Sequence, residues 1–191
     1  MARPQEFDTN EALHQAMDVF WQKGYEATSL SDLLKVMGLS KSSLYAAFGG
    51  KRDLFVAAFD AYRKERVVEM RQILGQPNAR EAITQFFRKI VNDTGNASAR
   101  GCMSINQAVE MAPRDPEVRS RVLEDFQLME DALTATIEHG QRNGSITSNE
   151  DPRQLACALV LAFPGLQVMT RAGADQKRLD EALNRLLASL D

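Results

Sequence analysis

Groups that can do chemistry are sparse in this sequence, and their spacing excludes more reactions than it admits. The two histidines, His14 and His139, stand in no metal-ligand spacing with other ligands. Gly49-Gly50-Lys51 lacks the earlier glycine of a phosphate-cradling P-loop. No Ser/His/acid or Cys/His arrangement stands out that would activate a nucleophile. No catalytic residue, metal site or cofactor is therefore expected, and a helical enzyme stays only as an alternative. What remains is a basic segment and a thiol. From Leu33 to Arg52 the cations are Lys35, Lys41, Lys51 and Arg52, with no acid, although the whole chain carries a net charge of −3. Charges act strongly only within ~10 Å at ordinary salt, so a locally basic patch on an acidic protein can serve phosphate contact. Cys102 falls near a predicted helix N-terminus and close to Arg100, two features that lower a thiol pKa. That setting admits redox or electrophile sensing as an alternative role. Cys157, inside an apolar helix, reads as structural.

The elements that must position these groups are helices. Apolar spacing is helical almost throughout, and no stretch alternates with period two. Leu13, Ala16, Met17, Phe20 and Trp21 form one helix face, which Asp8 with Glu11 can cap and Gly24 stops. Ser29-x-x-Asp32 opens a short helix ending at Gly38, and Ser40-x-x-Ser43 opens another ending at Phe48-Gly49-Gly50. A long helix follows from Lys51 to Leu74. Further starts lie at Pro116 and Pro152, and a leucine stripe closes the chain. A polar loop is expected from Asp93 to Arg100, and Pro164-Gly165 should kink its helix. The expected fold is all-α, with about nine helices and no repeats.

Residues 29–48 carry two short helices joined at Gly38-Leu39-Ser40, the layout of a helix-turn-helix. Leu33, Leu34, Met37, Leu39, Leu44 and Phe48 supply its packing. Lys41, Ser42, Ser43, Tyr45, Ala46 and Ala47 are left outward, and such small, hydroxylic side chains let a helix sit deep in a major groove ~12 Å wide.

Over residues 8–64 the chain resembles the N-terminal domain of TetR-family repressors. The resemblance rests on Gly24-Tyr25, Thr28-Ser29, Gly38-Leu39-Ser40-Lys41, Leu44-Tyr45, Phe48, and Lys51 followed by Leu54. It implies that Tyr45 and Lys51 contact phosphates, that Lys41, Ser42 and Ser43 approach base edges, and that Ser29 anchors the start of the motif. Gly50 departs from the Ser, Asn or Asp usual at that position, but glycine is a tolerated cap. The resemblance also implies an N-terminal three-helix DNA-binding domain (1–50), a C-terminal effector-binding and dimerisation domain (51–191), and double-stranded operator DNA as partner.

In the C-terminal half, aromatic and methionine side chains on successive helices should converge, and such residues suit an adaptable apolar pocket. The candidates for binding a small, apolar effector are Phe59, Tyr62, Phe86, Met103, Phe126 and Met129, with Cys102 and Asn106. The segment Arg100 to Asn106 is similar to one found in a subset of TetR-like regulators. Residues 155–166 are apolar nearly all round, and too few residues follow to cover them within one chain. A homodimer is therefore expected, built on Leu159, Phe163, Leu166, Leu183, Leu186 and Leu187.

Composition agrees with a cytoplasmic regulator. The 191 residues are 44% apolar and 26% charged, ordinary for a soluble globular chain. The start lacks the apolar core of a secretory signal, the longest uncharged apolar run falls short of the ~20 residues that span a bilayer, and two cysteines fit a reducing compartment. A sequence-indifferent architectural DNA binder is opposed by the acidic remainder, because such binding depends on many phosphate contacts.

Overall fold

Most helix starts in this chain are set by a short polar side chain that takes up amides left free in the first turn. In the computed structural model, which describes residues 7–92 and 100–191, Asp8 accepts from the amides of Asn10 and Glu11 and opens α1 (Thr9–Lys23). Ser29 and Asp32 form a reciprocal capping box at α2 (Leu30–Met37). Ser40 accepts from Ser43 at α3 (Lys41–Phe48). α4 (Lys51–Leu74) begins at Gly50 with no side-chain cap, so glycine at that position costs the helix one hydrogen bond. Asn78 opens α5 (Ala79–Val91), whereas α6 (Met103–Glu110) starts at Cys102 without a side-chain cap. Asp115, Asp151 and Asp175 open α7 (Pro116–Asn143), α8 (Pro152–Arg171) and α9 (Gln176–Leu187), before a 3-10 turn at Ala188–Leu190. The described residues thus hold nine α-helices and no strand. The expected polar loop lies, apart from Arg100, outside them. Pro164 sits inside α8, which continues through it to Arg171.

Two apolar clusters form the interior, and α4 runs through both. Phe20, Leu33, Leu44, Leu54, Phe55 and Phe59 are fully buried in the first, which Met103, Val118 and Val122 also join. Met70 and Leu74, further along α4, belong to the second, with Ile83, Phe87, Leu133, Ile137 and Leu159. The division expected at residue 50 is therefore not a division of the core. Two eight-residue helices and α1 enclose too little apolar surface alone, and the first half of α4 completes their core.

α8 corrects a second expectation. Its inward face (Leu155, Ala156, Leu159, Val160, Phe163, Leu166) is buried within the same chain, against α5, α7 and α9. Leu183 and Leu187 are buried there too, and Leu186 is half-buried. Five of the six residues assigned to a dimer interface are therefore buried in the protomer's own interior, and Leu186 packs partly against it. The reason is geometric: a helix apolar all round has two faces to cover, and the neighbours in its own chain take the first. The second face stays open, with Leu161 75%, Val168 53% and Met169 39% exposed. By length and composition α8 also suffices to cross a membrane, yet it is packed into the helical bundle along the whole of its inward side.

Candidate nucleic-acid interface and ligand cavity

The turn between α2 and α3 depends on Gly38, whose φ of 63° lies in the left-handed region that L side chains rarely adopt. From that turn α3 buries Leu44 completely and leaves Lys41, Ser42, Tyr45 and Ala46 exposed. Tyr45 is 48% exposed, with the Lys41 ammonium 6.0 Å from its ring centre. The Lys51 ammonium lies 4.3 Å from the ring of Tyr25. Arg52, counted with the basic segment, is not free: its guanidinium holds Asp115 at 3.0 Å and Glu117 at 2.6 Å, which pins the start of α4 to α7. Among the described residues, Lys35, Lys41 and Lys51 have no ion-pair partner. These three carry the positive charge of the surface.

The serines are more engaged than their exposure suggests. The hydroxyls of Ser42 and Ser43 lie 2.9 and 2.8 Å from that of Ser40, so both turn toward the N-cap of α3. The Ser29 amide and hydroxyl donate to the Asp32 carboxylate at 3.0 and 2.8 Å. The Ser29 amide, with the Lys23 ammonium 3.0 Å away, holds Asp32 down at about 2. A carboxylate pKa depressed on folding contributes stability that is full above its unfolded value and lost as pH falls through the folded one. Asp32→Asn is thus expected to flatten the acid-unfolding curve between about pH 4 and pH 2. A circular-dichroism titration showing parallel wild-type and variant curves would contradict this.

A cavity of about 420 Å³ lies between α4, α5, α7 and α8. Tyr62, Phe86, Cys102, Phe126 and Met129 border it as expected from the sequence. Phe59 and Met103 do not: both are fully buried in the N-terminal core. Asn106 borders a separate groove of about 380 Å³ between α1, α6 and α8, where it accepts from Arg171 at 2.6 Å. Phe163, expected at a dimer interface, lines the cavity instead. Sequence reasoning missed Trp21, Arg63, Arg66 and Asp125. The two arginines were within reach, because 62, 63 and 66 share one face of α4. Trp21 comes from α1, distant in sequence, and only the fold brings it here.

The setting of Cys102 runs opposite to expectation. Burial raises its pKa, and this outweighs the hydrogen bonds from the Tyr62 hydroxyl and the amides of Ile105 and Ser104 that lower it. The Tyr62 hydroxyl, also buried and raised, donates to Cys102 Sγ and accepts from the Met103 amide at 3.1 Å. This polar cluster is satisfied within itself.

Two links tie the helix-turn-helix side to the cavity side. The Trp21 indole donates to the Gly101 carbonyl at 2.9 Å. The Glu110 carboxylate accepts from the amides of Tyr25 and Glu26 at 3.1 and 2.9 Å. Glycine is required at position 24, where φ is 82° and a Cβ would come within 2.8 Å of that carboxylate.

Comparison with known proteins places this arrangement. The family model for bacterial regulatory proteins of the tetR family matches residues 12–58, and one for a tetracyclin repressor-like C-terminal domain matches residues 75–186. The chain is 36% identical over 197 residues to the HTH-type transcriptional regulator YezE of Bacillus subtilis, covering 100% of both. It is 32% identical over 180 residues to the HTH-type transcriptional repressor ComR of Escherichia coli, covering 93% of this chain and 86% of that one. Among solved structures, a cysteine mutant of the TetR family regulator CifR, complexed with 26-bp double-strand operator DNA, superimposes with a TM-score of 0.85 at 31% identity. That match covers 99% of this chain and 100% of the other.

Proposed function

The chain belongs to the TetR family and is a transcriptional regulator, and from that premise we propose that it acts as a homodimeric repressor released from a palindromic operator by a small effector. The observation that carries this reading is the exposed face of α3, with Lys41 and Tyr45 outward and two more unpaired lysines, Lys35 and Lys51, in the same segment of an otherwise acidic protein. The relative bound to operator DNA and the repressor ComR support it. In this reading Tyr45 and Lys51 hold phosphates, Lys41, Ser42 and Ser43 meet base edges, and Ser29 fixes the start of the motif. Residues 1–50 serve DNA, and residues 51–191 serve effector and dimerisation. Tyr62, Phe86, Cys102, Phe126 and Met129 form the effector wall, with Phe59 and Met103 behind it. The alternative, a redox or electrophile sensor using Cys102, is the weaker reading, because burial pushes that thiol's pKa up rather than down.

Two recognition helices related by a dimer axis read half-sites whose centres lie ~34–36 Å apart or somewhat more. The test is fluorescence anisotropy on DNA upstream of the protein's own gene, at a series of salt concentrations. Tyr45→Ala and Lys51→Ala are expected to weaken binding to all sequences. The Lys51 change should also reduce the slope of log K against log salt by about 0.9 for each phosphate no longer neutralised. Lys41→Ala is expected to relax base preference at one position, by about 1–3 kcal/mol. Wild-type affinity and slope in both phosphate-contact variants would rule out this docking.

A further inference from the structure

The cavity is lined by both apolar and charged side chains. Phe86, Phe126, Met129 and Phe163 are among the apolar ones, the rings of Phe86 and Phe163 stacking at 6.1 Å. The lining also holds a run of contacts: the Arg66 guanidinium lies 5.7 Å from the Tyr62 ring, Tyr62 meets Trp21 edge-on at 4.9 Å, and the Arg100 guanidinium lies 4.4 Å from Trp21. All four of these residues line the cavity.

The cations there differ in how fully they are paired. Arg63, Arg66, Lys89 and Arg100 line the cavity together with Glu69 and Asp125. Arg63 is saturated by Asp60, Glu124 and Asp125. Arg66 and Lys89, by contrast, share the single carboxylate of Glu69. Arg100 pairs with Asp18 through one terminal nitrogen, and its Nε is buried with no hydrogen-bond partner. The Thr170 hydroxyl, which also borders the cavity, is buried and unpartnered too. Tyr62 cannot serve as the polar anchor, because its hydroxyl is already committed to Cys102 and Met103. The unfilled buried hydrogen-bonding capacity therefore sits with Arg100 and Thr170, while Arg66, 46% exposed, adds positive charge.

We infer that this cavity takes an amphiphile with a single carboxylate head, held by Arg100 and drawn by the charge of Arg66, its tail lying over Phe86, Phe126, Met129 and Phe163. The assignment rests on the reading of the cavity as the effector site, and it replaces the wholly apolar effector expected from the methionines and aromatics. A carboxylate matches the planar fork of a guanidinium and forms charge-assisted hydrogen bonds. A neutral hydroxyl can accept one hydrogen bond there but gains neither the charge assistance nor the second arm of the fork. A cationic head finds the lining carboxylates, Glu69 and Asp125, already paired. Because Trp21 belongs to α1, head-group binding reaches the DNA-binding core directly.

Trp21 is the chain's single tryptophan, so its fluorescence reports occupation of the head-group end. The experiment titrates the full-length protein with decanoate, decanol and decylamine, with isothermal calorimetry as a second measure. Decanoate is expected to give a saturable change in emission and to bind at least about tenfold more tightly than decanol, with no saturable response to decylamine. Arg66→Gln and Arg100→Gln are each expected to weaken decanoate by roughly tenfold and leave decanol unchanged. Equal affinity for decanol, tighter binding of decylamine, unaltered decanoate binding in both variants, or no saturable binding of any probe would each overturn the assignment. Operator binding measured without ligand is independent of all these outcomes, so the regulator reading stands or falls separately.

Discussion

A Leu161→Glu variant is expected to sediment as a monomer and to bind operator about 10²–10⁴-fold more weakly than the wild type. The size of the effect follows from linkage: once one half-site is bound, a dimer presents its second recognition helix at high effective concentration, and a monomer forfeits that gain. The choice of residue follows from α8. Between Gln154 and Thr170 this helix has no charged residue, and its outward face carries Leu161, Val168 and Met169 with the small residues Ala158, Gly165 and Ala172 between them. These positions fall on one helical face, opposite the one buried in the protomer. A glutamate at 161 touches none of the protomer's own core, because Leu161 is 75% exposed, so the thermal midpoint is expected to stay near that of the wild type. Leu183→Glu is the informative contrast. Leu183 is 1% exposed inside the chain, and a charge there is expected to unfold the protomer rather than release it from a second copy. Analytical ultracentrifugation at micromolar concentration decides the matter. A wild type that runs as a monomer, or a Leu161→Glu variant that remains dimeric, removes α8 from the interface.

That contrast shows where the sequence was legible and where it was not. Helix starts were, because a cap is a local arrangement of three or four residues: Asp8, Ser29 and Ser40 each make the bonds their spacing implies. The helix-turn-helix was legible for the same reason, its glycine and apolar positions all lying within twenty consecutive residues. The direction of a buried face was not. Leu159, Phe163 and Leu166 look alike in their periodicity whether they meet their own chain or a second copy, and only the placement of α5, α7 and α9 distinguishes the two. Cys102 failed through competing effects. The amides of Ser104 and Ile105 at the helix start do lower the thiol pKa as expected, but burial, invisible in the local sequence, is larger and of opposite sign. The charge pattern of the cavity required long-range assembly, since Trp21, Arg66 and Arg100 come from three separate segments.

Arg63→Ala is expected to destabilise the fold by about 3–5 kcal/mol at neutral pH, and the loss should shrink on acidification. Arg63 is the hub of a ladder between α4 and α7. Its Nε donates to Asp125 at 2.6 Å, and its terminal nitrogens donate to Asp60 and Glu124 at 3.0 and 2.6 Å. Ser104 donates to the other oxygen of Asp125 at 2.6 Å. Asp60 accepts in turn from Arg121, Arg121 reaches Glu117, and Glu117 holds Arg52 at the start of α4. The side chains of Arg63 and Asp125 are only 13% and 14% exposed, so removing the cation strands a carboxylate that water cannot fully solvate. Burial already raises the Asp125 pKa against the pull of Ser104 and Arg63, and loss of Arg63 raises it further. A carboxylate whose folded pKa is raised costs stability while it is ionised, and the cost fades as pH falls through that pKa. Asp60 shifts the other way: despite burial, Arg121 and Arg63 hold it low, and the stability it contributes is present only while it is ionised. Both effects make the gap between wild type and variant widest near neutrality. Urea unfolding between about pH 8 and pH 4 is expected to show it narrowing. The double change Arg63→Met with Asp125→Leu is expected to recover part of the loss, since it removes both charges and orphans only the Ser104 hydroxyl that donated to Asp125. A deficit equal at every pH, and not recovered by the second change, would mean that Arg63 contributes through its aliphatic stem and its stacking 5.9 Å from the Phe59 ring rather than through its charge.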